Sequence, residues 1–354
     1  MSETKRKTKT KYHTSKAQSD NVYYNVTVRN EGGVNDPRLL PAQFNENRVE
    51  PILVNPSEYE LGVIRFTVPA INIPIFLWGD AAVHPDWFVC MEFDGVIIQK
   101  NLTFIANAAT PDIYGNAIWA FHEFVEIINV AMSDAFTDLK AAKPLAPPTA
   151  TPTITFDPNT DLLTLFAEQL YDSSTVTIKI WFSENLFNFV PSFLSYDNMA
   201  SNDVQRQRQI LVKNLFNNIP TTPANYYFMT QEYSTLFLWN SITNIVFETS
   251  SIPVESEFIQ SQKNVTRRII TDFEISTGIN NKDAFQYFPS GPIRYYDMIS
   301  NYPMSRMDVK VFWESNKGDL YPVYISKGEV LSIKIQFRKK KKYEDTQEED
   351  NDNI

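Results

Sequence analysis

The sequence predicts an all-β protein that is built from antiparallel β-sandwiches and carries one long inserted helix. About thirteen short segments rich in β-branched and aromatic residues are separated by turn signals, a spacing that is typical of sandwiches. Apolar and polar residues alternate along 332–338 (SIKIQFR), which indicates a strand with one buried and one solvated face. A doubly wound parallel sheet is excluded because it needs a helix after nearly every strand.

Composition limits the class of protein further. Hydrophobic residues make up 43% and aromatic residues 14% of the 354 residues, which is enough for a folded core and excludes a chain disordered throughout. The single cysteine, Cys90, excludes an intramolecular disulfide framework. The longest apolar run, 66–78, contains prolines and is shorter than the ~20 residues of a membrane helix, so no membrane span is expected. With no apolar signal segment at the N-terminus, we expect a soluble protein made in the cytoplasm.

Charge is distributed unevenly over a chain whose formal net charge is −10. We predict a flexible basic arm at 1–20 and a charged flexible tail at 339–354, because charge runs without apolar periodicity do not fold. The candidate nucleic-acid-binding or targeting residues of the arm are Lys5, Arg6, Lys7, Lys9 and Lys11. The acidic body predicts at most weak, salt-sensitive nucleic-acid contact through this arm. The alternative is that the arm only solubilises the chain.

The first predicted sandwich region covers 21–194. Its strands are expected at 22–29, 58–68, 87–93, 96–100, 153–156, 162–167 and 175–182, and 31–50 is expected to be a loop. Asp94-Gly95 between two of these strands is the strongest hairpin signal, because both turn positions favour residues that tolerate positive φ. Ser183 is expected to cap a short helix that reaches Val190.

The long helix is predicted at 117–139. One face repeats apolar residues at steps of three and four: Ile118, Phe121, Val125, Ile128, Met132, Ala135 and Leu139. We expect this face to pack against a sheet, with Asp112 or Asn116 as the N-cap. The proline-rich stretch 143–152 then makes a stiff connector.

A polar stretch, 195–208, is the predicted linker to a second sandwich region at 209–338. Strands are expected there at 226–229, 236–239, 244–248, 267–274, 307–314, 320–325 and 330–338. Turns at 316–319 (NKGD) and at Lys327-Gly328 separate the last three.

Candidate metal and nucleophile sites are weak in this sequence. His84, Asp86 and Cys90 lie close together, but Cys90 within a strand is better interpreted as a small buried hydrophobe than as a ligand. A nucleophilic pair of Cys90 and His122 is the alternative for that thiol. Asp157, Asp161 and Asp172 could form a carboxylate pair, although turn formation explains aspartate there more simply.

Two aromatic runs remain, Tyr226-Tyr227-Phe228 and Tyr295-Tyr296. They could stack on bases, but core or interface packing is favoured because no Lys or Arg is interleaved with them. Altogether the residues predict no catalytic site, no cofactor and no metal. The excess of aromatic residues indicates an assembly subunit rather than an enzyme, since such residues are enriched at protein interfaces.

Several blocks, taken in order, resemble a viral family. These are 57–76 (SEYELGVIRFTVPAINIPIF), 113–136, 154–167 (ITFDPNTDLLTLFA), 178–193, 240–258 (NSITNIVFETSSIPVESEF) and 308–340. Together they are similar to the minor or penton-type jelly-roll capsid proteins of small eukaryotic DNA viruses, of the virophage and polinton-like kind.

The resemblance implies a structural, non-enzymatic subunit of an icosahedral shell, with a jelly-roll sandwich. The expected partners are copies of itself, as a pentamer or trimer, and other capsid proteins. The expected location is the virion, after synthesis in the cytoplasm and with the arm as a candidate nuclear import signal. The alternative function is a carbohydrate- or receptor-binding attachment protein built on a β-sandwich.

Overall fold

A computed structural model describes most of the chain between residues 20 and 341. The described residues are 20–32, 38–79, 81–106, 113–144, 150–171, 178–198, 207–212, 226–239, 242–259, 265–275, 284–289 and 291–341. The predicted basic arm and most of the charged tail lie outside this range, and so does Asp172.

Four strands precede a long insertion. They are β1 (Asn21–Arg29), β2 (Leu39–Pro41), β3 (Gln43–Asn47) and β4 (Tyr59–Pro69), with a 3-10 turn at Pro56–Glu58 before β4. The strand prediction at each end of this stretch is confirmed. The expected loop at 31–50 is wrong in part, because β2 and β3 lie within it. Both strands are short and gain their strand partners only far along the chain, and β3 has little apolar content.

Among the described residues, the inserted region contains ten strands and the three α-helices. They are β5 (Phe76–Leu77), β6 (Val83–Phe93), β7 (Val96–Thr103), β8 (Ala117–Ile118), α1 (Phe121–Ala142), β9 (Thr153–Asp157), β10 (Leu162–Glu168), β11 (Lys179–Phe182), α2 (Glu184–Phe187), β12 (Ser195–Asp197), β13 (Arg208–Ile210), β14 (Tyr226–Thr230) and α3 (Leu236–Trp239). A 3-10 turn follows β10 at Gln169–Tyr171.

The remaining strands complete the chain. They are β15 (Ile242–Glu248), β16 (Glu257–Ile259), β17 (Val265–Arg267), β18 (Ile269–Glu274), β19 (Ala284–Tyr287), β20 (Tyr295–Asp297), β21 (Arg306–Ser315), β22 (Leu320–Pro322), β23 (Tyr324–Ser326) and β24 (Val330–Lys339).

Strand order identifies a jelly roll. One sheet runs β1-β24-β4-β19, with β20 also on β4, and the facing sheet runs β18-β15-β21-β22, with β3 also on β21. When β19 and β20 count as one broken strand, the eight principal strands are β1, β3, β4, β15, β18, β19/β20, β21 and β24. The first pairs with the eighth, the second with the seventh, the third with the sixth and the fourth with the fifth. This connectivity of two facing sheets is that of a jelly roll, and it confirms the predicted fold class.

Alternation within each strand builds the jelly-roll core. Along β24, Leu331, Ile333, Ile335 and Phe337 point inward and are almost fully buried. Inward residues of β4, β15 and β21 meet them, including Trp313, whose ring stacks on Tyr321 at 4.3 Å between centroids. The core therefore draws on residues from both ends of the chain.

A second core lies in the inserted region. One sheet runs β12-β13-β11-β6-β7, another runs β14-β10-β9, and α1 packs on both. On α1, Val125, Ile128 and Met132 are buried as predicted, while Phe121 is partly buried. The insertion lies between the third and fourth principal strands of the jelly roll.

The start of α1 differs from the prediction. Ala117–Ile118 forms β8, and the helix begins at Phe121, where the Glu123 carboxylate accepts hydrogen bonds from the backbone N–H groups of Trp119 and Ala120 at 2.8 and 3.2 Å. Asn116 instead donates to the carbonyl of Gly79, and Asp112 lies outside the described residues. An acidic side chain in the first turn thus satisfies backbone donors that no N-cap side chain reaches.

Local turn chemistry is confirmed at two predicted positions. Asp94 and Gly95 both have positive φ, 47° and 73°, and join β6 to β7. The Ser183 hydroxyl accepts from the backbone N–H of Leu186 at 3.2 Å and caps α2, which ends earlier than predicted, at Phe187.

Two predictions of the second half are corrected. The segment 236–239 is the helix α3 rather than a strand, because Trp239 and Thr235 both donate to the carbonyl of Phe189 and tie a compact turn to the neighbouring loop. The predicted linker 195–208 contains β12 and the start of β13 among its described residues, and both are paired in a sheet.

The two cores are nested along the chain rather than consecutive. Strand β1 pairs with β24 over its full length, so the first and last strands belong to one sandwich. This differs from the division at 195–208, which assumed that neighbouring strands in the sequence share a sandwich. From the two separate cores we predict that the regions fold independently.

Candidate assembly surfaces

The predicted chemical groups do not converge. Cys90 is buried with Phe88 and Trp181 on the face of β6 that points away from the core containing α1, whereas His122 is exposed on that helix. His84 stacks on Trp87 with ring centroids 4.0 Å apart. Burial lowers the pKa of His84, which favours the neutral ring. Among the described residues, no group of three or more His, Cys, Asp and Glu side chains could hold a metal ion.

The turn carboxylates have structural roles. Asp157 accepts hydrogen bonds from the backbone N–H of Asn159 at 2.9 Å and from the hydroxyl of Thr160 at 2.8 Å, and these bonds lower its pKa. Asp161 occupies the left-handed region at φ 56°. Both therefore shape the β9–β10 turn.

The aromatic runs are partly buried, but one of them does meet cations. Arg338 lies 3.6 Å from the ring centroid of Tyr295, and Arg294 lies 4.6 Å from that of Tyr296. Distance in the sequence hid the first contact, because Arg338 lies on β24, which pairs with β4 as β20 does. Arg294 directly precedes Tyr295 in the sequence, so the second contact was recognisable and was overlooked. Phe228 instead packs on Phe166 in the insert, at 4.8 Å between centroids.

The sequence also gave no signal for an internal anion on the jelly roll. Asp308 is 4% exposed and accepts from the backbone and hydroxyl groups of Ser250 and Ser251 and from the Thr249 hydroxyl. Burial alone would raise its pKa, but these bonds outweigh it and hold the pKa at about 2. The carboxylate anchors the loop after β15 to β21.

A cleft of about 430 Å³ separates the jelly roll from the insert. The insert lines it with the aromatic rings of Phe76, Trp78, His84, Trp87 and Tyr114. The jelly roll contributes the ring of Tyr321 and the turn between β21 and β22. Tyr114 bridges the regions, since its hydroxyl donates to the Pro322 carbonyl at 2.6 Å and its ring meets Trp313 edge-on at 5.3 Å. The cleft thus lies beside the contact that holds the two regions together.

Two loop pairs each expose several large apolar residues. On the jelly roll, the loops that meet at the Leu53–Met304 bridge expose Val49, Val54, Ile299 and Tyr302, the last at 83%. We call these four residues the loop patch. Monomers expose single apolar residues commonly, but such groups are typical of contact surfaces.

On the insert, a hydrogen bond from the Ser192 hydroxyl to the Tyr233 carbonyl, at 3.2 Å, joins two segments. They expose Leu194, Tyr196, Tyr233, Phe237 and Leu238, which we call the insert patch. The two patches lie on different regions of the chain, so the chain offers at least two separate apolar surfaces to partners.

The predicted arm residues Lys5, Arg6, Lys7, Lys9 and Lys11 lie outside the described residues. The point where the arm joins the sandwich is described: the backbone N–H of Lys339 donates to the carbonyl of Asp20 at 2.7 Å. The first residues of the basic C-terminal run pair with acids, Arg338 with Glu60 at 2.6 Å and Lys340 with Asp297 at 2.7 Å. The described ends of the chain, at Asp20 and at 339–341, therefore lie side by side.

None of the described helices is long and apolar enough to cross a membrane.

Comparison with solved structures shows the same fold. A chain of the Sputnik virophage, from a cryo-EM structure at 3.5 Å resolution, superposes with a TM-score of 0.77 at 26% identity and covers 91% of this chain and 98% of its own. The crystal structure of the mavirus penton protein superposes with a TM-score of 0.67 over 90% and 99% of the two chains, and its 17% identity supports the fold alone.

Sequence relatives lead to the family. Structural protein V19 of Sputnik virophage is 29% identical over 202 residues, which are 52% of this chain and 93% of the relative. Uncharacterized protein V18 of the same virophage is 28% identical over 148 residues, or 35% and 87%. The model of the family described as Sputnik minor capsid protein V18/19 matches residues 22–85 and 98–339, which take in both the jelly roll and its insert. The chain belongs to that family of minor capsid proteins.

Proposed function

We propose that this chain is a non-enzymatic subunit at the vertices of an icosahedral capsid, where it forms a homo-oligomer and contacts other capsid proteins. The family match across both the jelly roll and the insert is the observation that carries the proposal. The fold likeness to a penton protein supports the vertex position. A pentamer fits a fivefold vertex, and a trimer is the alternative that the residues leave open.

The exposed apolar patches support contacts beyond the oligomer itself. A shell subunit must meet its own copies and its neighbours of other kinds, so it needs several distinct surfaces. The loop patch and the insert patch lie on different regions of the chain. We propose that one of them contacts other capsid proteins, and Tyr302→Asp and Phe237→Asp separate the two. The variant that folds normally but no longer enters particles identifies that surface.

Incorporation into particles tests the function directly. Purified virions should contain the chain as a minor component, and antibody-bound gold should lie at the vertices. The chain's absence from virions would contradict the proposal. A chain that can be stripped from intact shells without loss of the vertices would favour the attachment-protein alternative.

The basic arm is proposed to act in the assembled particle, either on nucleic acid or on an import receptor. Several arms on one inner surface would bind nucleic acid measurably with a steep salt dependence, whereas one arm on an acidic body would bind poorly. DNA titrations of monomeric and assembled protein, with and without residues 2–16, at two salt concentrations test this. Tight, salt-insensitive binding by the monomer would contradict it. Loss of nuclear entry alone would reassign the arm as a targeting signal.

A further inference from the structure

The outer face of the sheet β1-β24-β4-β19 is basic. Side chains that point away from the core include four cations, Arg29, Arg65, Lys334 and Arg338, against two carboxylates, Glu60 and Asp297. Arg338 is paired with Glu60. Within the described part of the chain, no salt bridge joins the other three cations to a carboxylate, and Lys334 only covers the ring of Tyr23, at 5.1 Å.

The outer face of the sheet β18-β15-β21 is acidic. Its outward side chains include five carboxylates, Glu248, Asp272, Glu274, Asp308 and Glu314, against two cations, Arg306 and Lys310. Asp308 is enclosed by its own loop, and Glu248 and Asp272 have arginine partners. That leaves Glu274 and Glu314 without a cation among the described residues, although Asn244 donates to Glu314 at 2.7 Å.

Strand register concentrates these unpaired charges. Lys334 of β24 is directly opposite Arg65 of β4, and Glu274 and Glu314 flank Asn244 in one row across three strands. Like charges directly opposite each other on neighbouring strands are destabilising. The basic face therefore carries a cost at Lys334 and Arg65 that an opposite charge from outside would offset. The acidic face presents Glu274 and Glu314 on either side of Asn244 as a source of that opposite charge.

We propose that a second copy of this chain supplies those opposite charges: the basic outer face of one jelly roll docks on the acidic outer face of the next. The inference deepens the proposed homo-oligomer and rests on it. Because the two faces belong to opposite sheets of one sandwich, the contact is heterologous, and repetition closes a ring when the rotation between copies divides a full turn. Complementary charge also makes every copy in the ring point the same way, since two basic faces or two acidic faces would repel each other.

Charge reversal tests the contact on the full-length chain. Lys334→Glu and Glu314→Lys should each raise the dissociation constant of the oligomer at least about tenfold, measured by sedimentation velocity. The double variant carries both reversals and should return to within about threefold of the wild-type value, because its two faces are complementary again. Lys317→Glu makes the same charge change as Lys334→Glu, but on an exposed turn outside both faces, and should leave assembly unchanged. Melting temperatures check that all variants fold.

Other outcomes overturn the inference. These are single reversals that behave like Lys317→Glu, a double variant that assembles no better than the singles, or a wild-type chain that stays monomeric. If Lys334→Glu leaves the oligomer intact but abolishes DNA retention, the basic face binds phosphates instead. The proposed function has its own test and is refuted if the wild-type chain is absent from virions. An oligomer whose dissociation constant is unchanged by these reversals refutes only the proposed contact.

Discussion

The jelly roll and its insert reach a buried core by different routes along the chain. In the jelly roll, β24 lies between β1 and β4, so residues near 330 close a sheet that began near 21. In the insert, β6 and β7 are joined by a two-residue turn, and β9 and β10 by another short turn. Local hairpins thus supply part of the insert, which also needs the pairing of β6 with β11 and of β10 with β14. The jelly roll depends on β24, which lies about 300 residues beyond its partner β1.

The difference predicts two separable responses to damage. A charge buried in either core should lower stability severely. If the nested regions fold independently, it should unfold its own region first. Substitutions confined to one core therefore distinguish independent from coupled folding.

Ile335→Asp should have the largest effect. Ile335 is fully buried at the centre of β24, opposite Tyr24 of β1 and Val63 of β4. An unpaired carboxylate there is expected to cost more than about 4 kcal/mol, which is enough to prevent jelly-roll folding. Hydrogen exchange should show protection lost in β4 and β24 but retained in the β6–β7 hairpin. Ser332→Asp, at an outward position of the same strand, should cost less than about 1 kcal/mol. Equal loss in both regions would refute independent folding.

Ile128→Asp makes the matching test in the insert. Ile128 is fully buried on α1 against both sheets, and the carboxylate should cost about 3–5 kcal/mol. Thermal unfolding should show an early transition confined to the insert, with the jelly roll still protected. Val130→Asp, two residues away and 37% exposed, is the control and should melt close to wild type. A soluble Ile128→Asp variant with unchanged melting would show that this helix face contributes little.

The same contrast explains what the sequence could predict. Asp94-Gly95, the Ser183 cap and the apolar face of α1 were all recognisable, because the residues that determine each lie within a few positions of one another. The pairing of β1 with β24 left no local trace, so the nested order was missed. Segment 236–239 carries a strand-like composition, but its helix depends on hydrogen bonds to Phe189, which no local pattern shows.

The surfaces divide in the same way. Charge on the two outer faces depends on register between strands that are distant in sequence, such as Lys334 beside Arg65. The Asp308 cluster is equally non-local, because its donors precede it by more than fifty residues. Composition indicated an assembly subunit but gave no means of locating these groups. For the basic arm the opposite holds: its charges are evident in the sequence, whereas its residues lie outside the described part of the structure.

Asp308→Asn should destabilise the jelly roll by about 2 kcal/mol, an effect the insert does not share. The folded-state pKa of about 2 lies below the ordinary 3.8, so the cluster contributes its full stability above about pH 4 and loses it as the pH falls through about 2. Chemical denaturation between pH 7 and pH 2 should show the wild-type jelly roll approaching the variant at the acid end. Asp272→Asn, at an exposed carboxylate, is the control and should change stability by less than about 0.5 kcal/mol. A constant difference at every pH would contradict the role of the carboxylate charge.

The smallest effect is expected at the turn that the sequence predicted best. Gly95 has φ 73°, and a Cβ added there would meet nothing within 4 Å, so substitution costs only backbone strain. Gly95→Val should destabilise the insert by about 1–2 kcal/mol, because a β-branched residue disfavours positive φ, while Gly95→Asn should stay near wild type. Denaturant unfolding followed by hydrogen exchange in the β6–β7 hairpin measures both. If valine and asparagine behaved alike, the hairpin would be held by its strands and the packed helix rather than by its turn. The insert would then depend on long-range contacts as the jelly roll does.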